Sequence, residues 1–214
     1  MLAFLGGTGP EGRGLALRYA LAGKEVVIGS RDAGRAQAVA EELRQLATGA
    51  SIVGTENLEA ARSGDVVFLT FPYEVQRSLL SGLMEELDGK TVVNVVAPVA
   101  FEKGVARAVP VEAGSAAEES QALLPGSRVV GAFQNLSARK LLATDQPLEG
   151  DVVVCSDDAE AKAEVMALVG LVKELRFVDG GPLECARYVE ALTALLLNIN
   201  RRYKANATIR VLGV

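Results

Sequence analysis

Three glycines near the start of the chain have the spacing of a phosphate-binding turn. They follow the apolar run 2–5 and precede a helical pattern, in the order Gly7-Thr8-Gly9-Pro10-Glu11-Gly12. In this setting the first glycine permits a tight turn, the second lets the backbone approach a pyrophosphate, and the third allows close packing of helix on strand. Free N–H groups at the helix N-terminus favour the negative charge. The segment therefore predicts a dinucleotide site.

The segment SRDAGR, at 30–35, indicates which adenosine ribose the site accepts. A carboxylate at the tip of the second strand selects NAD, and Asp32 lies at about the right distance in sequence. Gly29, at the predicted tip, has no carboxylate, and Ser30, Arg31 and Arg35 follow it. A 2′-phosphate would pair with these guanidinium groups, which NAD would leave unpaired. We predict NADP, with Asp32 facing solvent or capping the next helix; ordinary surface arginines are the alternative.

The elements that must position these residues alternate between short β-branched runs and longer helical stretches. This alternation predicts an α/β fold, a Rossmann-type doubly wound and mainly parallel sheet with a small C-terminal helical part. Strands are expected at 2–5, 25–28, 51–53, 65–70, 90–97, 127–133, 151–156 and 175–179. Helices are expected at 33–47, 73–87, 116–123, 158–172 and 183–200, with a helix after the glycine turn and a short one from residue 57.

The chain is expected to form an NADP-binding Rossmann domain over 1–150 and a small C-terminal α/β extension over 151–214. The last helix of the extension carries apolar residues at helical spacing, which predict a core or dimer contact. They are Val189, Leu192, Leu195, Leu196 and Ile199.

Composition excludes several classes of function. The net charge of −5 argues against a general nucleic-acid binder. The absence of histidine removes histidine-based triads and histidine metal sites, and we expect no metal. Cys155 and Cys185 are expected to be reduced. No apolar run reaches the roughly 18 residues of a membrane span, and MLAFLGG does not resemble a signal peptide. We expect a cytoplasmic protein that binds no membrane.

Six motifs that occur in order between 2 and 199 resemble a known family. They are GGTGPEGRGLALR, VVIGSRD, LTFPYE, VVAPV, GGPLECARYVEALT and LLLNI. Together they resemble the NADPH-dependent coenzyme F420 reductases, which pass hydride between NADP(H) and an 8-hydroxy-5-deazaflavin. The N-terminal motifs are shared with a wider NADP-binding superfamily, and the C-terminal motifs narrow the match. The resemblance implies a homodimeric oxidoreductase that uses NADP(H) and a small-molecule acceptor, either F420 or a flavin.

The resemblance also implies roles for individual residues. It places Thr8, Gly9, Pro10 and Glu11 at the pyrophosphate, and Ser30, Arg31 and Arg35 at the 2′-phosphate. Pro72, Tyr73 and Ala97 would border the nicotinamide half, Ala138 joins the cofactor-binding set, and Gln134, Arg187 and Thr193 lie near the acceptor. Two positions depart from the family, because Gln134 replaces a histidine and Ala191 replaces a serine.

Several interpretations stay open from the residues alone. Arg187 either neutralises charge on the reduced acceptor or caps a turn, and Gln134 either binds a ring carbonyl or satisfies a buried backbone group. The basic run 201–204 either attracts the carboxylate tail of the acceptor or forms a solvated helix end. No catalytic residue is assigned, because hydride transfer between stacked heterocycles needs alignment rather than a protein acid or base.

Rival functions are separated by motifs that are present or missing. A short-chain dehydrogenase needs Tyr-x-x-x-Lys, and none of the four tyrosines has a lysine four residues later. A β-hydroxyacid dehydrogenase needs a lysine on the long helix, and 183–198 contains none. An NADPH-dependent imine, flavin or ferric reductase remains an alternative, as does a module that senses NADP without turning it over.

Overall fold

The computed structural model describes all residues, Met1–Val214, and its backbone is organised around one eight-stranded sheet and one hairpin. The strands in chain order are β1 (Leu2–Leu5), β2 (Val26–Ser30), β3 (Ile52–Glu56), β4 (Val66–Leu69), β5 (Thr91–Asn94), β6 (Val99–Glu102), β7 (Val105–Ala108), β8 (Arg128–Gly131), β9 (Gly150–Cys155) and β10 (Leu175–Gly181). The large sheet has the order β10-β9-β8-β5-β4-β1-β2-β3. All its pairs are parallel except β8 with β9, so the predicted mainly parallel α/β fold is confirmed.

Nine α-helices connect the strands. They are α1 (Pro10–Leu21), α2 (Ala33–Leu46), α3 (Asn57–Ser63), α4 (Gln76–Leu80), α5 (Met84–Leu87), α6 (Ala116–Leu123), α7 (Ala138–Leu142), α8 (Ala159–Val169) and α9 (Ala186–Tyr203). Side chains of Asp32, Ser115 and Asp158 accept backbone N–H bonds at the starts of α2, α6 and α8. These caps satisfy donors that a helix leaves free at its N-terminus.

The apolar side chains form two clusters, one on each face of the sheet. Alternate residues of β1 show the division, because Leu2 and Phe4 enter one cluster and Ala3 and Leu5 the other. Successive side chains of a strand point to opposite faces. A sheet covered on both faces therefore needs the nearly continuous apolar strands that the sequence shows.

Two connections differ from the sequence predictions. The single helix expected over 73–87 is a 3₁₀ turn, Tyr73–Val75, followed by the short helices α4 and α5. The hairpin of β6 and β7 was not predicted. Lys103 and Gly104 form its two-residue turn with φ of 47° and 79°. Positive φ at both positions matches the twist of a hairpin, but it is unusual for lysine, so the sequence signal is weak.

The C-terminal part of the chain continues the same sheet. The predicted division near residue 150 falls at the first residue of β9, and it stays a prediction. β9 meets β8 at one register position, Gly131 opposite Cys155, whereas β10 pairs with β9 along its length. On α9 the predicted apolar face is divided, because Val189 and Leu196 are buried while Leu195 is 55% exposed.

Candidate functional site

The glycine turn connects β1 to α1, and its glycines serve different purposes. Gly6 has φ of +69° and makes the bend. A Cβ at Gly12 would lie 2.6 Å from Cα of Gly7 and 2.5 Å from Oγ1 of Thr70, so α1 packs too closely for a side chain. A Cβ at Gly9 would meet nothing nearer than 3.6 Å. The space above Gly9 is therefore open to a ligand.

Two polar side chains that were not predicted from sequence hold this turn in place. The backbone N–H of Gly6 donates to Oδ1 of Asn57 at 3.0 Å. The hydroxyl of Thr70 donates to the backbone oxygen of Leu5 at 2.9 Å. Both residues come directly after strands, where the carboxyl ends of a parallel sheet meet, and that position is the only sequence signal they offer.

A cleft of about 290 Å³ lies on one side of the glycine turn. Its wall is formed by Gly6, Thr8, Gly9, Ser30, Arg31, Arg35, Asn57, Thr70, Phe71, Pro72, Val75 and Leu79. Ser30 is the last residue of β2 and is buried, whereas Arg31 and Arg35 are exposed. Neither guanidinium takes part in any ion pair of the molecule. We name this recess the adenosine cleft.

Asp32 is committed to the N-terminus of α2. Its Oδ1 accepts from the backbone N–H of Arg35 at 3.0 Å, and its own N–H donates to Oγ of Ser30 at 3.3 Å. The predicted capping role is confirmed. The carboxylate that had suggested NAD thus has a structural partner, while the guanidinium groups of Arg31 and Arg35 have no carboxylate partner.

A larger cavity of about 680 Å³ lies on the other side of the turn, and we name it the acceptor cavity. It contains five of the predicted site residues, which are Glu11, Ala97, Gln134, Ala138 and Thr193. Its other lining residues are Val95, Asn135, Leu136, Ser137, Arg139, Leu196, Leu197, Asn200, Arg201, Lys204, Ala205, Asn206 and Ala207. The wall is thus assembled from α1, α7, α9 and the segments that follow β5 and β8.

The amide of Gln134 is oriented by the end of β5. Its Nε2 donates to the backbone oxygen of Asn94 at 3.2 Å, and its buried Oε1 has no partner. Asn135 follows the same pattern, since its Nδ2 donates to the backbone oxygen of Asp151 at 2.9 Å and its buried Oδ1 is unpartnered. Neither side-chain oxygen therefore has a hydrogen-bond partner within the protein. Thr193 donates to the backbone oxygen of Gln134 at 2.9 Å.

Glu11 adds a third acceptor to this wall. Its Oε1 is buried and has no hydrogen-bond partner, and burial raises the pKa of the carboxyl to about 8. The cause is desolvation, which disfavours the charged form. At neutral pH the group is mainly protonated and can both donate and accept. Buried polar atoms without partners are uncommon in proteins, so three of them on residues that line one cavity are an unusual feature of this site.

Five predicted site residues line neither recess, and they are Gly7, Pro10, Gly12, Tyr73 and Arg187. Arg187 forms an ion pair with Glu118, with Nη2 and Oε1 2.5 Å apart, and lines a separate pocket of about 200 Å³. Pro72 lies on the wall of the adenosine cleft. Tyr73 lines neither recess, and its pKa is raised by burial and by Glu119. Gly7, Pro10 and Gly12 build the turn without lining either recess.

No three side chains of acidic residues or cysteines come together as a metal site. None of the helices combines the length and apolar character needed to cross a membrane.

Comparison with known proteins identifies the family. The family model described as NADP oxidoreductase coenzyme F420-dependent matches residues 1–98. The F420-dependent NADP reductase of Methanocaldococcus jannaschii is 42% identical over 213 residues, which span 97% of this chain and 95% of that protein. This chain belongs to the F420-dependent NADP reductase family. The protein of that name from Methanothermobacter thermautotrophicus is 38% identical over 217 residues, or 98% of this chain and 94% of the relative.

A solved structure agrees with the family assignment. The crystal structure of a candidate F420-dependent NADP-reductase from Arthrobacter sp. FB24 has a TM-score of 0.83 and 26% identity, and covers 98% of each chain. The resemblance seen in the sequence motifs is confirmed, as is the assignment of the chain to the oxidoreductases. Membership of this family does not favour the alternative functions raised by the sequence, namely an imine, flavin or ferric reductase or a module that senses NADP.

Proposed function

We propose that this protein transfers hydride directly between NADP(H) and coenzyme F420. The observation that carries the proposal is the position of the two recesses on either side of one glycine turn. A dinucleotide whose pyrophosphate lies on the turn reaches both, with its adenosine in the adenosine cleft and its nicotinamide in the acceptor cavity. The names of the curated relatives support both substrates.

The roles proposed in the adenosine cleft follow from charge. Ser30, Arg31 and Arg35 bind the 2′-phosphate, because the two exposed guanidinium groups have no carboxylate partner. Thr8 and Gly9 border the pyrophosphate, which the N-terminus of α1 attracts. Pro10, Gly7 and Gly12 act by shaping the turn.

The roles proposed in the acceptor cavity follow from its size and from the residues that line it. A volume of about 680 Å³ is in the range of pockets that enclose whole ligands, so there is room for a second heterocycle beside the nicotinamide. Glu11 and Gln134 border the bound rings, and Ala97, Ala138 and Thr193 complete the wall. Arg187 and Tyr73 keep their predicted roles through the resemblance alone.

The reaction needs little from protein acid–base groups. When both substrates are bound, hydride leaves C4 of the reduced nicotinamide and reaches C5 of the deazaflavin, and a proton from solvent completes the reduction. The protein aligns the rings and keeps water from the transferring atom. A chain without histidine is suited to this reaction, because the hydride transfer needs no histidine as an acid or base.

We also propose a cytoplasmic homodimer. Tyr188, Leu192, Leu195 and Ile199 recur at helical spacing on α9, and Tyr188 and Leu195 are 70% and 55% exposed. A second copy of this chain covers this outer row, since apolar rows of this kind at an exposed helix face commonly mark an interface. Sedimentation velocity should give a dimer for the wild type and a monomer for Leu195→Glu, with Glu184→Gln as a control.

Isotope transfer tests the proposed reaction. NADPH that carries deuterium at the transferring C4 position is incubated with F420 in ordinary water, and the reduced F420 is analysed by mass spectrometry. We expect one deuterium per reduced ring, because the hydride never exchanges with solvent. Loss of the label to water, or faster oxidation of NADPH by FMN than by F420, would overturn the proposal. The same mixture without enzyme provides the background.

A further inference from the structure

Asn94 is the last residue of β5, and its side chain is fully buried. It lies at the carboxyl end of the strand, where parallel sheets bind their ligands. Val95 and Ala97, which follow it in the chain, line the acceptor cavity, whereas Asn94 does not. A buried amide is stable only when its polar atoms are hydrogen-bonded, and Asn94 uses both ends of its amide.

The oxygen of the Asn94 side chain holds the segment that leaves the strand. Oδ1 accepts from the backbone N–H of Val96 at 2.9 Å. This bond spans two residues and fixes the turn by which segment 95–97 passes from the sheet to the cavity wall. The backbone oxygen of Asn94 also accepts from Nε2 of Gln134 at 3.2 Å. Two parts of the wall, segment 95–97 and Gln134, are thus attached to one buried residue.

The nitrogen of the same side chain anchors Asn94 to two helices. Nδ2 lies 3.0 Å from Oε1 of Gln76 on α4, and 2.8 Å and 3.2 Å from Oγ of Ser120 and the backbone oxygen of Ala116 on α6. A reversed amide would place its oxygen against the Ala116 oxygen and its N–H groups against the N–H of Val96. The buried network therefore fixes the orientation that directs Oδ1 toward Val96.

Two other strand ends of the protein use a hydroxyl in the same way. Ser30, the last residue of β2, accepts from the N–H of Asp32 at 3.3 Å. Ser156, directly after β9, accepts from the N–H of Asp158 at 3.2 Å. In both cases, as at Asn94, the side-chain oxygen accepts from the N–H two residues later. A serine at position 94 is therefore expected to keep the bond to Val96 while losing the amide nitrogen.

We propose that Asn94 is a positioning residue for hydride transfer, which holds segment 95–97 against the nicotinamide through its bond to Val96. The inference rests on the proposed function, which places the nicotinamide in the acceptor cavity. Asn94 acts through this segment and not by contact with a substrate, because it lies behind the cavity wall. Hydride transfer depends steeply on alignment, since a misplacement of about 1 Å lowers a rate on the order of 100-fold.

The test is a matched pair of variants, Asn94→Ser and Asn94→Ala. Both remove the amide nitrogen, and they differ only in the hydroxyl that can accept from the N–H of Val96. The rate of hydride transfer from NADPH to F420 is measured in a single turnover by stopped flow, and the dissociation constant of NADPH by fluorescence. We expect Asn94→Ala to slow transfer at least tenfold and to change NADPH affinity less than threefold. Asn94→Ser should stay within threefold of the wild-type rate.

Ser120→Ala is the structural control, because it removes one partner of the amide nitrogen and leaves the bond between Asn94 and Val96. It should lower the midpoint of urea denaturation and change the transfer rate less than twofold. Asn94→Thr and Asn94→Val are a second pair with larger side chains, and the same contrast is expected of them if Asn94→Ala does not fold.

Hydrogen exchange of the Val96 amide, measured by NMR, reports the bond without the reaction. We expect this amide to exchange at least tenfold faster in Asn94→Ala than in the wild type, and Asn94→Ser to keep most of the protection.

The outcomes separate the positioning role from the proposed function. Equal transfer rates in Asn94→Ser and Asn94→Ala would overturn the role, and so would an equal loss of rate in Ser120→Ala or a loss confined to NADPH binding. Transfer to F420 by the wild type would leave the proposed function intact in each of these cases. If the wild type transfers no hydride while the Val96 amide exchanges as expected, the proposed function and the role in alignment both fail, and only the structural bond remains.

Discussion

The adenosine cleft and the acceptor cavity flank the same turn but are built in different ways. Ser30, Arg31 and Arg35 come from one strand end and the helix beside it. The acceptor cavity joins residues as distant as Glu11 and Lys204, and its wall includes a short helix and a returning C-terminal segment. The charged group of the adenosine cleft is therefore set by neighbouring residues, whereas the wall of the acceptor cavity depends on packing between distant parts of the chain.

Charge distinguishes the two recesses as well. In the adenosine cleft the only carboxylate of the SRDAGR segment is used as a helix cap, so the cations are left free for a ligand. In the acceptor cavity the cations Arg139, Arg201 and Lys204 are exposed, and the lining also includes apolar residues such as Leu136 and Leu196. The first recess is therefore suited to one strongly charged group, whereas the second has a mixed apolar and polar wall.

The largest expected effect comes from removing both guanidinium groups of the adenosine cleft. Arg31→Ala with Arg35→Ala should raise the dissociation constant of NADPH roughly 100-fold, because each charged hydrogen bond to the 2′-phosphate contributes about 1.5 kcal/mol or more. The dissociation constant of NADH should change little. Fluorescence titration with both nucleotides measures the effect, with Arg62→Ala on α3 as a control. Equal losses for NADPH and NADH would place the two arginines away from the 2′-phosphate.

A pair of glycine substitutions should separate packing from ligand approach. Gly12→Ala should lower the free energy of unfolding by about 1–3 kcal/mol, because its Cβ would overlap Gly7 and Thr70. Gly9→Ala should change stability by less than about 0.5 kcal/mol and still weaken NADPH binding. Urea denaturation and NADPH titration of both variants test this. If Gly9→Ala binds NADPH normally, the pyrophosphate does not approach that glycine.

Glu11→Gln should alter the pH dependence of stability. The folded-state pKa of about 8 lies above the ordinary value of 4.5, so the folded protein holds a proton that the unfolded chain releases. Stability from this group is therefore complete below about pH 4.5 and is lost as the pH rises through 8. The variant should flatten this decline, and its NADPH affinity should no longer fall above pH 8, where the wild-type carboxylate repels the phosphates.

Urea denaturation and NADPH titration at pH 6 and pH 9 measure both effects of Glu11→Gln, and Glu25→Gln, on the exposed surface, is the control. We expect a change of about tenfold in relative NADPH affinity between these pH values, which corresponds to roughly one pKa unit of coupling. Identical pH profiles for the variant and the wild type would show that Glu11 is solvated in solution.

The smallest expected effect concerns Asp32. Asp32→Ala should lower the free energy of unfolding by about 1 kcal/mol through loss of the N-cap of α2, whereas Asp32→Asn should retain most of the stability. Both variants should keep the preference for NADPH over NADH, as measured by titration. A variant that binds NADH much more weakly would show that the carboxylate contacts a ribose.

The sequence predicted what local patterns control. The bounds of β1 and α6 agree with the structure, and so does the cap at Asp32, because strand alternation, helix capping and turn chemistry each involve neighbouring residues. The prediction failed where tertiary contacts decide, as in the broken helix after Tyr73 and the hairpin around Gly104.

The acceptor cavity shows the same limit more clearly. Gln134 and Thr193 were singled out through a family resemblance, and no pattern in the residues indicated that they would meet Glu11 on one wall. The sequence did not indicate that Arg139 and Lys204 would line the same cavity, because their proximity depends on the bonds that hold the C-terminal segment against α7. Two residues such as Arg139 and Lys204, which are 65 positions apart in sequence, are brought together by tertiary packing. Tertiary packing leaves no periodic pattern in the sequence from which it could be predicted.

The single contact between β8 and β9 has a mechanical consequence. Every other junction of the sheet is a ladder of several backbone pairs, and at this one the strand direction reverses and side chains such as Ser156 replace the ladder. The bond from Asn135 to Asp151 crosses the same seam, beside the cavity wall. The attachment of the last two strands therefore rests on side-chain bonds and on core packing, which a substitution can weaken without disrupting a backbone ladder.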